Sequence, residues 1–194
     1  MSKGRLEAFS DGVIAIIITI MVLEIPTPEG TSWSALAPVA PVLLTYVLSF
    51  VYLGIYWNNH HHLLHASNRI NGAVLWANLH LLFWLSLVPF VTGWMGHHHA
   101  ASVPTAVYGA VMLLAASAYW VLQHTILAQQ GPDSLLARAL GADFKGKISP
   151  VLYAAAIPLA FVNQWLSDAL YVAVALIWLV PDRRIEVALE REAR

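Results

Sequence analysis

Near the N-terminus, groups able to do chemistry crowd into one stretch, Arg5-Leu-Glu-Ala-Phe9-Ser10-Asp11-Gly12. It runs without a break into Val-Ile-Ala-Ile-Ile-Ile-Thr19-Ile-Met-Val-Leu23-Glu24-Ile-Pro26. An ionisable group in so apolar a segment is costly and reads as functional by default. The plainer alternative makes Asp11 a capping or packing aspartate, satisfied by Arg5 or by neighbouring backbone. Spacing does not choose between the two. At ~100° per residue on a helical wheel, Gly12, Ile16, Thr19 and Leu23 fall in one narrow stripe, and Asp11 points away from it. A seam of that kind suits identical helices packed around a symmetry axis. Ordinary packing produces the same spacing, and the single hydroxyl of Thr19 adds little alone.

Histidine is the second candidate chemistry, with nine residues. His61 and His65 are four apart and His62 and His65 three apart, so either pair can share a helix face and chelate zinc. No nearby carboxylate or cysteine completes a tetrahedral set, so no metal site is expected there. His60 and its neighbour His61 also belong to a motif given below. His97, His98 and His99 follow Gly96 in what reads as a solvated loop. The chain has no cysteine, which removes disulfides and thiolate chemistry.

The elements that must position these groups are membrane helices. Hydrophobic residues make up 59% of the chain and charged residues 11%, about half the charge of an ordinary soluble domain. A net charge of −1 argues against a nucleic-acid partner, since no basic surface exists to neutralise phosphates. Six apolar segments stand out: Leu6–Ile25, Leu36–Trp57, Asn71–Trp94, Pro104–Leu127, Ile148–Trp165 and Asp168–Val180. About 20 helical residues cross a ~30 Å hydrocarbon core. The last segment is short and the fifth carries Pro158, and the two suit a tight helical hairpin. No segment alternates with a period of two, which argues against a β-barrel. Ser10 and Asp11 interrupt any signal-peptide core, so the first helix is expected to stay in the mature protein.

Six spans put both termini on one side, and all ten Lys and Arg residues fall on that side. The excess of positive charge marks it as cytoplasmic, which makes the chain a multi-pass cell-membrane protein with lipid as its solvent. Residues 1–181 are read as one transmembrane domain and 182–194 as a charged cytoplasmic tail. The polar stretch Gln129–Lys147 is a cytoplasmic loop with a turn at Gly131–Asp133.

The pattern of Arg5, Phe9, Ser10 and Asp11 resembles the signature of the transmembrane protein 175 family. Further matches follow in order: Tyr56-Trp57-x-x-His60-His61, Trp76-x-Asn78-x-His80 and Pro89-Phe90-x-Thr92. The family comprises lysosomal potassium channels in animals and shorter prokaryotic channels, and this length suits the prokaryotic branch. The resemblance implies an all-α channel of six helices per subunit, a homotetramer with the first helix lining a central pore. It puts the hydrophobic constriction at Ile16, a potassium-preferring hydroxyl layer at Thr19 and a further apolar layer at Leu23. It makes Arg5, Phe9, Ser10 and Asp11 a network tying the first helix to its neighbours, with Trp76, Asn78 and His80 as partners. Asp11 then acts as a tether rather than an ion ligand.

The expected function is a leak-like, weakly selective potassium channel that needs no cofactor beyond its permeant K+ and is not an enzyme. The Thr-Val-Gly-Tyr-Gly carbonyl filter of ordinary potassium channels is absent. A proton-permeable channel and a secondary cation transporter are the alternatives. A transporter requires discontinuous helices and a polar midplane site, whereas the mid-membrane polar groups read as scattered singles such as Thr19, Ser49, Ser86 and Ser117. An enzyme requires a carboxylate or histidine constellation near one interface, which Asp11 with His80 could supply, yet no nucleophile or cofactor motif accompanies them.

Overall fold

A computed structural model describes residues 2–67, 70–131, 134, 137 and 143–179. The predicted tail at 182–194 and most of the turn at Gly131–Asp133 lie outside them. The described residues form α1 (Lys3–Ile20), α2 (Ala40–His65), α3 (Gly72–Ser86), α4 (Val88–His97), α5 (Ser102–Gln130), α6 (Phe144–Leu159) and α7 (Gln164–Leu179), with 3₁₀ turns at Met21–Glu24 and Trp33–Val39. Five of the six apolar segments are helical over most of their described length. The fifth, expected to run from Ile148 to Trp165, instead turns at residues 160–163 just after Pro158, so the hairpin bend falls inside it. No strand occurs among the described residues.

Local chemistry explains most of the boundaries. The first helix tightens to 3₁₀ at Met21 and stops at Glu24. Ile25 is extended with ψ 116°, as a residue before proline must be. Asn71 caps α3 by accepting from the Val74 N–H at 3.0 Å, and Asp143 caps α6 by accepting from Gly146 N at 3.2 Å. Gly131 closes α5 at φ 84°, its N–H bonded to Leu127 O at 3.1 Å; a glycine meets that conformation without a Cβ clash.

Two further departures from the expected spans matter. The third is not one helix but α3 and α4, broken at Leu87 ahead of Pro89, whose missing N–H and bulky ring interrupt the helical ladder. Hydrogen bonding continues around the break through Leu87 N to Trp84 O and Val91 N to Leu87 O, both 3.2 Å, so this is a kink rather than an unwound segment. The second helix runs on past Trp57 to His65, which makes His60–His65 helical.

The helices α1, α2, α3–α4 and α5 are each long and apolar enough to cross a membrane. The last two have 16 residues each, about 24 Å, and pack on each other as the expected hairpin. α5 sits at the centre of the bundle against α3, α4, α6 and α7. α1 lies at the side, in contact with α2, α3 and α4.

Candidate functional site: the first helix and its anchors

α1 has two opposed stripes. Leu6, Ser10, Ile14, Ile17 and Met21 are buried, spaced by three and four so that they lie on one face. The sequence-derived stripe of Gly12, Ile16, Thr19 and Leu23 faces out: Ile16 is 60% exposed and Leu23 79%, with Gly12 and Thr19 also exposed. The Thr19 hydroxyl lies 3.0 Å from Ala15 O and 2.9 Å from Ile16 O. Its proton is therefore held by its own helix, and the oxygen lone pairs remain available to an outside partner.

Two polar contacts anchor the N-terminal half of α1. Asn78 Nδ2 donates to Ser10 Oγ at 2.9 Å, and Asn78 Oδ1 lies 2.7 Å from His60 Nε2. Since that amide oxygen only accepts, His60 carries its proton on Nε2. All three side chains are buried, so the chain Ser10–Asn78–His60 ties α1, α3 and α2 together in an apolar setting where each bond is costly to lose. Asp11 Oδ1 accepts from Trp57 Nε1 at 3.0 Å, and Lys3 Nζ donates to His65 O at 2.7 Å. Lys3 and Asp11 are eight apart, as are His65 and Trp57, which is the register of two antiparallel helices in contact.

The other signature residues point elsewhere. Arg5 and Phe9 are exposed, and Trp76 is 75% exposed. His80 accepts at Nε2 from Trp84 Nε1 of its own helix at 2.9 Å, on an exposed face. Asn78 is thus the member of the third-helix set that reaches α1. The His61 and His65 rings stack 6.0 Å apart at 15°, with Trp57 stacked on His61 at 6.2 Å. Among the described residues no group of three or more histidines and carboxylates is placed to hold a metal. His97 Nε2 lies 3.2 Å from Glu24 O, which joins the far end of α1 to α4.

A second polar chain was not legible in the sequence. Thr92 Oγ1 donates to Ser49 Oγ at 2.7 Å, and Ser49 Oγ lies 3.1 Å from Tyr108 Oη, all buried. Thr92 Oγ1 is also 4.0 Å from Met21 Sδ. Ser49 is therefore no isolated polar group but the centre of a link among α4, α2 and α5. The one hint was Thr92, at the end of the Pro89-Phe90-x-Thr92 motif. Trp57 as the partner of Asp11 was foreshadowed only by its place in the Tyr56-Trp57 motif.

Comparison with known proteins assigns the architecture. The family described as endosomal/lysosomal potassium channel TMEM175 matches residues 5–89. A potassium channel of Chryseobacterium sp. (strain P1-3) is 52% identical over 190 residues, covering 98% of this chain and 99% of the relative. A potassium channel of Chamaesiphon minutus is 32% identical over 185 residues, 89% of this chain and 91% of that protein. The human endosomal/lysosomal proton channel TMEM175 is 38% identical over 96 residues, 43% of this chain and 19% of that longer protein. The crystal structure of a lysosomal potassium-selective channel TMEM175 homolog from Chamaesiphon minutus superposes with a TM-score of 0.79 at 29% identity, covering 93% of this chain and 97% of that one. Similar from end to end to a relative half identical in sequence, and built on the fold of that solved channel, the chain belongs to the TMEM175 family.

Proposed function

We propose that the protein conducts potassium through a pore formed by four copies, with α1 of each lining the axis. The carrying observation is the outward stripe of α1, apolar except for one hydroxyl and set opposite the stripe that holds the helix in its own subunit. In this reading Ile16 and Leu23 form dry rings that close the path by dewetting. Four Thr19 oxygens contact a partly dehydrated cation once the helices spread. Hydroxyls that must bridge a widened path make a looser cage than backbone carbonyls, so selectivity is weak. The Ser10–Asn78–His60 and Asp11–Trp57 bonds hold α1 in register while its outer face moves. Arg5, Phe9, Trp76 and His80 lie on exposed faces, and the assembly offers them a neighbouring copy to pack against. Both termini are cytoplasmic, as the distribution of Lys and Arg implies.

The relatives named as potassium channels support this substrate over others. At the kink, Leu85, Val88 and Pro89 are buried and apolar, and the hydroxyl of Ser86 donates to Phe83 O of its own helix at 2.7 Å, which does little to favour the transporter alternative. Proton permeation is a second reading, favoured by the name of the human relative. Potassium flux from liposomes, with Ile16→Asn beside wild type, tests the proposal. Flux that rises in the variant is the expected result, and absence of cation flux from both proteins at every pH tried overturns it. Thr19→Val is expected to change the preference for potassium over sodium. A pH-sensitive dye in the same liposomes reports the proton reading directly.

A further inference from the structure

α2, α5, α6 and α7 line a partly open cavity of about 50 Å³, and no residue of α1 is among its lining. The space suits a molecule of only a few non-hydrogen atoms. Its walls include the rings of Tyr56, Tyr119, Tyr153 and Trp178, and Asp143 contributes a carboxylate. Tyr56 and Tyr119 pack edge to face at 6.2 Å and 68°, while Tyr153 and Tyr119 are part of the buried core or packed against it.

The hydrogen-bond inventory bears on what charge such a space accepts. Tyr119 donates its hydroxyl proton to Asn59 O at 3.2 Å. Ser149 donates to Lys145 O at 2.8 Å, and the Trp178 indole N–H donates to Ser149 Oγ at 2.8 Å. Gln123 Nε2 donates to Asp143 Oδ2 at 3.3 Å. These donors are all committed within the wall. What favours a cation over an anion in this space is the Asp143 carboxylate together with the aromatic faces. The Lys145 ammonium lies 5.9 Å from the centroid of Trp178, so that ring already has a cation, and the tyrosine faces and Asp143 are what remain for a ligand.

Asp143 is held in an unusual way. Its φ of 37° makes it the one described non-glycine residue with positive φ, a conformation that aspartate tolerates because its side chain can bond to local backbone. The carboxylate accepts from Gly146 N and Gln123 Nε2. A carboxylate has about four acceptor directions, so two contacts leave capacity for a ligand.

We propose that this cavity is a binding site for a small organic cation of trimethylammonium size, with Asp143 as its counter-charge and the tyrosine and tryptophan rings as its walls. The site is separate from the α1 face and does not depend on the channel reading. The test is thermal unfolding of the full-length protein in detergent with trimethylammonium chloride, at ionic strength held constant with potassium chloride. The neutral, similarly shaped tert-butanol is the control. Trimethylammonium is expected to raise the midpoint saturably by a few degrees, and tert-butanol to leave it unmoved. Asp143→Asn keeps a residue that caps helices and tolerates positive φ, so it is expected to fold, to retain wild-type potassium flux, and to lose the shift. Should Asp143→Asn fail to fold, Tyr119→Leu removes one ring and its hydroxyl at similar bulk and is expected to weaken binding at least fivefold. An equal shift with tert-butanol, an undiminished shift in the tested variant, or no shift up to 100 mM (roughly the ceiling of a useful site, about 1.4 kcal/mol weaker than 10 mM) overturns the proposal.

Discussion

The two long faces of α1 are built from nearly the same residue types and have opposite fates. Ile14 and Ile17 are buried against α2, α3 and α4, whereas Ile16, two residues from the first, is more than half exposed. Hydrophobicity cannot separate them, because lipid is as apolar as a leucine side chain and gives no reason to prefer one isoleucine inside. What separates them is hydrogen bonding. Ser10, Asn78 and His60 meet on one side of the helix, and the cost of leaving any of them unpaired in an apolar medium fixes the rotation of α1. The outer face is then the one without polar obligations in its own subunit, free to meet something else.

Truncating matched residues on the two faces is the sharpest way to break this contrast. Ile14→Ala removes fully buried methyls and leaves a cavity, at a cost of about 2–4 kcal/mol, read as a clear drop in unfolding midpoint. Ile16→Ala is the same chemical change on the outer face and is expected to cost the isolated subunit under about 0.5 kcal/mol while raising ion flux. Equal losses at both sites would mean the faces are not distinct.

Asn78→Leu follows. It orphans both the Ser10 hydroxyl and the His60 N–H in the interior, which should cost about 2–3 kcal/mol. Adding Ser10→Ala should recover part of that loss, because one orphaned group is then removed, and a double-mutant cycle measures the recovery. Gly96→Ala probes the contact of α4 with α2, where a new Cβ would sit 2.9 Å from Val42 Cα. Backbone cannot yield as a side chain does, so a loss of about 1–3 kcal/mol is expected. A modest effect is expected from Trp57→Phe, which keeps the ring and deletes the bond to Asp11. That bond is on an exposed surface, so it should cost no more than about 1 kcal/mol and show in channel opening more than in stability.

The outer stripe of Gly12, Ile16, Thr19 and Leu23 was legible from spacing because a helix of known period leaves residues three and four apart on one face. The helical character and order of the segments were legible from the length of their apolar runs, since only an internally bonded helix can carry its backbone through lipid; the bend at residues 160–163, inside the fifth, was not. The kink at Leu87 was not drawn from Pro89, although proline's missing donor predicts it. Trp76 and His80 share a motif with Asn78 but not its direction. Adjacent positions on a helix differ by ~100°, so a motif names residues without saying which of them face inward.

By itself, then, the chain of residues determined a helical membrane protein, the order of its spans and the stripe of α1 that Gly12, Ile16, Thr19 and Leu23 share. These follow from periodicity and from the solvent, both local properties. Only the tertiary structure decided that Asn78 bridges Ser10 to His60, that Trp57 rather than a third-helix residue holds Asp11, and that Ser49 links Thr92 to Tyr108. It alone assembled the tyrosine-walled cavity around Asp143. Each of these depends on the rotation and register of helices far apart in sequence, which packing and buried hydrogen bonds settle together and no single segment encodes.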